Sequence, residues 1–386
     1  MTDPHPFAAP PQPAGAQPGF AGPDYTSQGF GPPVTNLPAP PFADATGGAR
    51  RMPEAEVARP DANAGRPDAN AERARAALWN VRAEVAKAVV GQDAAVTGLL
   101  IALLTRGHVL LEGVPGTAKT LLVRTLAAAL DVGHKRVQFT PDLMPGDLTG
   151  SLVYDASKSD FTFRPGPVFT NLLLADEINR TPPKTQSSLL EAMAERQVTV
   201  DGISRPLAAP FLVAATQNPV EFEGTYPLPE AQLDRFLLKI EMPIPPREAE
   251  VEIVQRHAMG FDPGRLEAAG VRPVASAADL EAGAAAVRTV LIRPEVVGYI
   301  VDIARATRVS PSLDLGMSPR AAVALLSTAR AWAWLSGRDF VTPDDVKALS
   351  RATVAHRLSL RPEAELEGVK VEAVLASAID SVPVPR

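Results

Sequence analysis

The chain contains no cysteine, which excludes a disulfide framework and any thiolate metal site. Histidine is scarce as well, and its five copies stand singly, so no imidazole cluster suggests a metal centre. No apolar run approaches the ~20 residues that a bilayer-spanning helix needs. The amino terminus lacks the charged start, apolar centre and small-residue cleavage pattern of a secretory leader. Positive charge is not in excess: 44 acidic residues outnumber 38 basic ones, and the net charge of −6 argues against a chain built mainly to grip nucleic acid. These absences make a soluble cytoplasmic protein the expectation.

What is present divides the 386 residues into three parts. Residues 1–71 are dominated by Pro, Gly, Ala, Asp and Asn, with hardly any periodic apolar positions. Such a segment cannot bury enough surface to offset its chain entropy, so it predicts a disordered tail, with a Pro-rich docking motif as the alternative. From Glu72 the spacing of Leu78, Val81, Val85 and Val89 predicts an amphipathic helix ending at Gly91. Strand and helix signals then alternate: strands near Val109, over 136–139, at Leu172, over 211–215 and over 236–240, with helices from Thr120 and over 185–195. That alternation predicts a three-layer αβα core over 72–245, with a parallel sheet and ligands beyond the strand carboxyl ends. Two β-hairpins interrupt it, one over 151–165 and one over 198–207 around Asp201-Gly202, a favoured two-residue turn. Beyond Pro243-Ile244-Pro245-Pro246 apolar residues recur at helical spacing, predicting a small all-helical domain over 246–386. One of its helices opens with a Thr342 cap, Pro343 and an acid at Asp345.

The chemistry is concentrated in two segments. Gly113-Val114-Pro115-Gly116-Thr117-Ala118-Lys119-Thr120 lies between a short apolar strand and a helix. A loop of small residues there lets backbone N–H groups approach phosphate oxygens at the positive end of the helix dipole. Lys119 would reach the β and γ phosphates and the Thr120 hydroxyl would ligate magnesium. Ala118 stands where a second glycine is usual, and its methyl group is a small intrusion. Taken alone, the loop also suits an ordinary strand-to-helix turn. The second segment decides between these, because Leu172-Leu173-Leu174-Ala175 reads as a strand buried on both faces and ends in Asp176-Glu177. Two acids there are costly without a cation. Asp176 would hold the magnesium and Glu177 would polarise the attacking water as general base. Together the segments indicate binding and hydrolysis of ATP with Mg2+.

Three further residues are candidates. Asn218, at the tip of the strand over 211–215, is placed to bond the γ-phosphate or orient the water; the same residue equally suits a turn before Pro219. Arg320 follows Ser318-Pro319, a cap and a first-turn proline, where the helix dipole disfavours a cation by a few tenths to ~1 kcal/mol. Lys119 breaks the same rule, and one bound triphosphate would neutralise both; a solvated surface arginine is the alternative. Arg235 ends a short helix opened by Pro229-Glu230, where the dipole favours it without any function. Its functional reading is an arginine finger reaching the γ-phosphate held by a neighbouring subunit.

In order, Val90-Gly91-Gln92-Asp93, the phosphate loop, Leu174-Ala175-Asp176-Glu177-Ile178-Asn179-Arg180, Thr216-Gln217-Asn218-Pro219, Leu233-Asp234-Arg235-Phe236 and Gly316-Met317-Ser318-Pro319-Arg320-Ala321 resemble the AAA+ ATPases. Gly113-Val114-Pro115-Gly116, Gln138-Phe139-Thr140-Pro141-Asp142-Leu143 and Glu223-Gly224-Thr225-Tyr226-Pro227-Leu228-Pro229-Glu230 resemble the MoxR family within them, over about residues 74 to 360. The resemblance implies an AAA+ core followed by a helical lid. It implies that Val90 and Gly91 lie by the adenine, that Asn218 is sensor 1 and Arg320 sensor 2, and that Arg235 is the trans finger. Ala118 agrees with the family's variant of the loop. The hairpins would be the helix-2 insertion and the hairpin before sensor 1, facing the pore of a ring, usually a hexamer. Members act as chaperone-like remodellers, often with partners bearing a von Willebrand factor A domain, in maturation or metal insertion. The alternatives are the ATPase subunit of a metal-chelatase complex and a nucleic-acid motor. The net charge, and hairpins whose basic residues are Lys158, Arg164 and Arg205, weigh against the motor.

Overall fold

The computed structural model of the chain describes residues 69–157, 159–218 and 226–385. The tail expected before Ala69, Lys158 of the first hairpin, Pro219 and the Glu223-Gly224-Thr225 wording lie outside those residues.

Two helices, α1 (Ala69–Ala86) and α2 (Asp93–Leu104), precede the first strand. α1 buries Leu78, Val81 and Val85 of the stripe its spacing predicts; it begins three residues before the expected boundary at Glu72 and ends at Ala86, short of Gly91, so that Val89 is buried beyond the helix. The periodicity reading has no counterpart of α2. Every residue from Ala95 to Leu104 is buried, so its apolar side chains surround the axis and leave no amphipathic signal.

There follow β1 (Val109–Glu112), α3 (Lys119–Ala129), β2 (His134–Gln138), α4 (Pro145–Thr149), the hairpin β3 (Gly150–Asp155) and β4 (Asp160–Pro165), β5 (Leu172–Asp176) and α5 (Pro183–Glu195). The hairpin β6 (Gln197–Val200) and β7 (Ile203–Pro206) comes next, then β8 (Leu212–Gln217), α6 (Glu230–Leu233) and β9 (Leu238–Glu241). Both hairpins form as expected, and Asp201 and Gly202 turn the second with φ of +54° and +71°. The five remaining strands make one parallel sheet in the order β2-β5-β8-β1-β9. Successive side chains go to opposite faces: Leu111, Leu172, Leu174 and Leu212 join one core with α1, α2 and α3, whereas Leu110, Leu173, Val213 and Ala215 join another with Leu189, Leu190 and Met193 of α5. Burial on both faces is why these strands read as continuous apolar runs.

The chain then continues through α7 (Arg247–Ala258), α8 (Ala277–Thr289), α9 (Pro294–Arg308), β10 (Leu313–Leu315), α10 (Pro319–Leu335), α11 (Pro343–Val354), β11 (Ser359–Leu360), α12 (Pro362–Leu366) and α13 (Val371–Ser381). Among the described residues it is mainly helical, with the short pair β10-β11 and a parallel bridge between Leu291 and Phe340. The expected caps form: Ser318 Oγ accepts from Ala321 N at 3.1 Å, and Thr342 and Asp345 exchange bonds reciprocally at 3.3 and 2.8 Å. This helical part shares its core with the sheet domain. A Cβ on Gly283 of α8 would meet Leu104, Trp334 and Leu78 at 2.7, 3.0 and 3.2 Å, so glycine lets α8 lie close against α1, α2 and α10.

Two histidines are sealed into this structure. His108 Nδ1 accepts from Val213 N at 3.0 Å and its Nε2 donates to Met193 O at 3.1 Å; burial pulls its pKa down to about 4. His356 Nε2 donates to Phe236 O at 2.9 Å, and burial, helped by the Arg357 charge, pulls its pKa to about 3. Both are neutral when folded, while the unfolded chain takes up the protons below its ordinary value near 6.5, so stability falls as pH drops through 6.5 toward 4. Lowering the pH from 7 to 5 should cost ~2 kcal/mol per histidine. Urea midpoints measure this, and His356→Gln, which keeps a donor for Phe236 O, should lose about half of the slope. An unaltered slope in that variant would contradict the assignment.

Candidate functional site

The phosphate loop joins the carboxyl end of β1 to α3, whose first residue is Lys119. The first N–H groups of a helix have no partner within it, so this loop offers donors and a positive dipole end to an anion. Gly116 takes φ +88°, with open space where a Cβ would stand. Ala118 is left-handed, at φ +64° and ψ +23°. That is the physical reason a second glycine is usual: the alanine costs ~1 kcal/mol in backbone conformation, and the methyl group as such is the lesser matter. Thr117 is buried and its hydroxyl braces the loop by donating to Val114 O at 3.1 Å. The Lys119 ammonium donates to the loop's own Gly113 and Val114 carbonyls. Burial lowers its pKa, against the pull of Asp176 and Glu177. Thr120 is exposed on the first turn of α3.

Gly113 leaves no room for a side chain, because a Cβ would strike the Met242 carbonyl. Gly91, at φ +74°, lies against Pro245 and Ala249, and Gln92 Nε2 donates to Pro243 O at 3.4 Å. Residues 242–249 therefore tie Val90 and Gly91 to the base of the phosphate loop, with Pro115 exposed at its crest.

The sheet brings the acids to the same edge. Gln138 of β2 pairs in register with Asp176 of β5, and Gly113 N donates to Gln217 O of β8 at 3.4 Å. Asp176 Oδ1 accepts from the Thr216 hydroxyl at 2.6 Å, and its Oδ2 accepts from Arg136 Nε and Nη2 at 3.0 and 2.7 Å. Glu177 holds φ +57°, a strained conformation costing about 1–3 kcal/mol that is tolerated where surroundings fix it. Here its own N–H donates to Thr216 Oγ1 at 2.8 Å, and its Oε2 accepts from Gln138 Nε2 at 2.7 Å and pairs with Arg180 Nε at 3.0 Å. Asn218 is buried directly after β8. Sequence reasoning gave no role to Arg136, Gln138, Thr216 or Arg180; the first three meet the acids across neighbouring strands, which no local pattern reveals, whereas Arg180 reaches Glu177 from three residues along the chain.

These residues fit ATP with magnesium. Among the described residues no group of three or more His, Cys, Asp or Glu gathers that could hold a metal by itself. One hydroxyl at Thr120 and one carboxylate at Asp176 suit an ion that arrives on phosphates and keeps waters. The open cradle at Gly116 suits the phosphates themselves.

Arg235 and Arg320 lie elsewhere. With Arg106, His108, Arg196 and Arg357 they line a cavity of about 300 Å³, in which Asp234 is the one carboxylate among the described lining residues. His108 precedes β1 and Leu237 precedes β9, so the cavity sits at the amino ends of these strands, a strand's length from the phosphate loop at the carboxyl ends. The expectation that one triphosphate neutralises both Lys119 and Arg320 is therefore not met within one chain. Arg235 Nη1 donates to Leu190 O at 2.7 Å. Arg320 Nε is 3.4 Å from Asp234 Oδ2, and Arg357 Nε is 2.9 Å from Asp234 Oδ1. Burial draws the Arg357 pKa down to about 10, with Asp234 opposing and Arg320 adding to the shift.

Comparison with known proteins agrees with both halves of the fold. Residues 108–238 match the ATPase family associated with various cellular activities (AAA), and residues 305–378 match the AAA lid domain. The uncharacterized protein YeaC of Bacillus subtilis (strain 168) is 49% identical over 286 residues, spanning 74% of this chain and 88% of YeaC. Chaperone MoxR1 of Mycobacterium tuberculosis is 42% identical over 312 residues, 78% of this chain and 81% of its own length. A crystal structure from Cytophaga hutchinsonii, described as that of a candidate ATPase, superposes with a TM-score of 0.76 at 41% identity, over 82% of this chain and 97% of that one. No described helix is long and apolar enough to cross a membrane. With an AAA ATPase domain and an AAA lid matched in one chain, and with MoxR1 42% identical over 78% of it, this protein belongs to the MoxR family of AAA+ ATPases.

Proposed function

We propose that the chain is a Mg2+-dependent ATPase whose active site is completed between neighbouring copies in a ring, the hexamer usual in its family, and that it spends the cycle on remodelling partner proteins. The observation that carries this reading is the separation of the two half-sites: the phosphate loop and Asp176-Glu177 occupy one edge of the sheet, while Arg235 and Arg320 occupy the other. In the reading, Lys119 leaves its loop carbonyls for the β and γ phosphates, and backbone donors of residues 113–120 cradle them. Thr120 and Asp176 hold the metal ion, which supplies charge neutralisation when bound. Glu177 polarises the water, with Gln138 fixing its carboxylate and Asn218 orienting water or γ-phosphate. Val90 and Gly91 lie by the adenine. Arg235 and Arg320 of one copy meet the charge that develops on the nucleotide of the next.

The remodelling half rests on other support. MoxR1 is named a chaperone, and the hairpins expose Val153, Tyr154, Phe161 and Ile203, apolar side chains suited to gripping an unfolded segment. A partner with a von Willebrand factor A domain, assisted in maturation or metal insertion in the cytoplasm, follows from the family resemblance. The test is ATP turnover per subunit across a dilution series, with assembly size followed by light scattering and a purified von Willebrand factor A domain protein added at each point. Turnover should rise with assembly and change again with the added protein. Constant turnover down to the monomer would sink the shared site, and indifference to the added domain would sink that partner.

A further inference from the structure

The residue before the finger is built into both arginines. Asp234 lies with its side chain only 24% exposed, one carboxylate oxygen 2.9 Å from Arg357 Nε and the other 3.4 Å from Arg320 Nε. Arg357 is fixed in turn: it is buried, and its Nη1 and Nη2 donate to Thr353 O and Phe236 O, each at 2.9 Å. Arg235, next along the chain, is held to Leu190 O. Arg320 differs from both, since its side chain is 62% exposed and starts from the first turn of α10, where the helix dipole repels it. Without an acid beside it, that long side chain would sample many rotamers and would lose that freedom again at each encounter with a phosphate.

From this geometry we infer that Asp234 is a positioning residue: anchored on Arg357, it holds Arg320 beside Arg235 so that the two guanidinium groups meet a neighbouring nucleotide as one unit. The inference rests on the shared-site reading above. The charge count favours it over simple neutralisation. Among the described residues five arginines line the cavity, Arg106 being paired with Glu281 at 2.7 Å, so positive charge is still left for a phosphate after Asp234 has been shared between Arg357 and Arg320. The lid is thereby connected to the finger, because Arg357 follows α11 while Asp234 and Arg235 precede β9.

Asp234→Asn should lower kcat for ATP by roughly 10-fold with KM little changed, since ATP binds at the opposite edge. Asp234→Glu should recover part of the loss. Complementation distinguishes positioning from a folding defect. Mixing Asp234→Asn with Lys119→Ala subunits should restore turnover, because the intact loop of the first meets the intact Asp234, Arg235 and Arg320 of the second. Arg235→Ala mixed with Lys119→Ala runs alongside. Recovery in that control but not with Asp234→Asn overturns the role of Asp234 alone; recovery in neither overturns the shared site itself. If Asp234→Asn folds poorly, Arg357→Met/Asp234→Asn removes the buried cation together with its acid and must complement in the same way. In an Arg320→Ala background Asp234→Asn should cost less than about 2-fold further. A full additional loss there would show that Asp234 does not act through Arg320.

Discussion

Arg235→Ala should reduce kcat for ATP by about 10³- to 10⁵-fold while leaving nucleotide affinity nearly unchanged. The size follows from what a guanidinium does for phosphoryl transfer, where charge spreads over the γ-phosphate oxygens and a preorganised cation stabilises it in a site that excludes water. The split between kcat and affinity follows from the fold. Arg235 lies at the amino edge of the sheet, so its removal leaves the same chain's phosphate loop untouched. Arg235→Lys should rescue little, because an ammonium lacks the planar fork that spans two oxygens. Steady-state turnover and titration with a fluorescent nucleotide measure the two quantities separately. A loss below about 10-fold would remove Arg235 from the finger role.

Glu177→Gln should slow hydrolysis by about 10²- to 10⁴-fold and keep ATP bound. The amide preserves the size of the side chain and an oxygen for Gln138 Nε2, so the left-handed backbone and the bond that residue 177 N–H donates to Thr216 Oγ1 should persist. What disappears is the group that accepts the proton of the attacking water, together with the charge that pairs with Arg180. Single-turnover measurement with labelled ATP should find unreacted ATP on assembled protein long after the parent protein has released ADP. An unchanged single-turnover rate would exclude Glu177 as the base.

The parts of this protein that sequence made legible are those encoded within about twenty residues. The phosphate loop is a strand, a run of small residues and a helix in immediate succession, and Asp176-Glu177 announces itself by closing an apolar run. Ser318 and Thr342 read correctly because a cap needs only its own first turn. α2 was illegible for the opposite reason, since a helix buried all round carries no period. The partners of the acids were hidden too: Gln138 reaches Glu177, and Thr216 reaches Asp176, only through the order of strands in the sheet. Arg320 is the instructive case. Its dipole argument selected the residue, but the nearest compensating charge is Asp234 of the same chain, and the distance from Lys119 depends on how the lid packs on the sheet.

In the proposed reading, the opposed positions of the two half-sites give each copy a front and a back. Any contact that joins them is heterologous, head to tail, and such contacts close into a ring only if the rotation from copy to copy divides the circle; otherwise they continue as a spiral. In an open spiral the last copy would hold a nucleotide that no neighbour's arginines reach. Closure would then be a condition for firing every site, and a small change in the angle between copies, with no change inside any one of them, would be enough to silence the subunit at the seam.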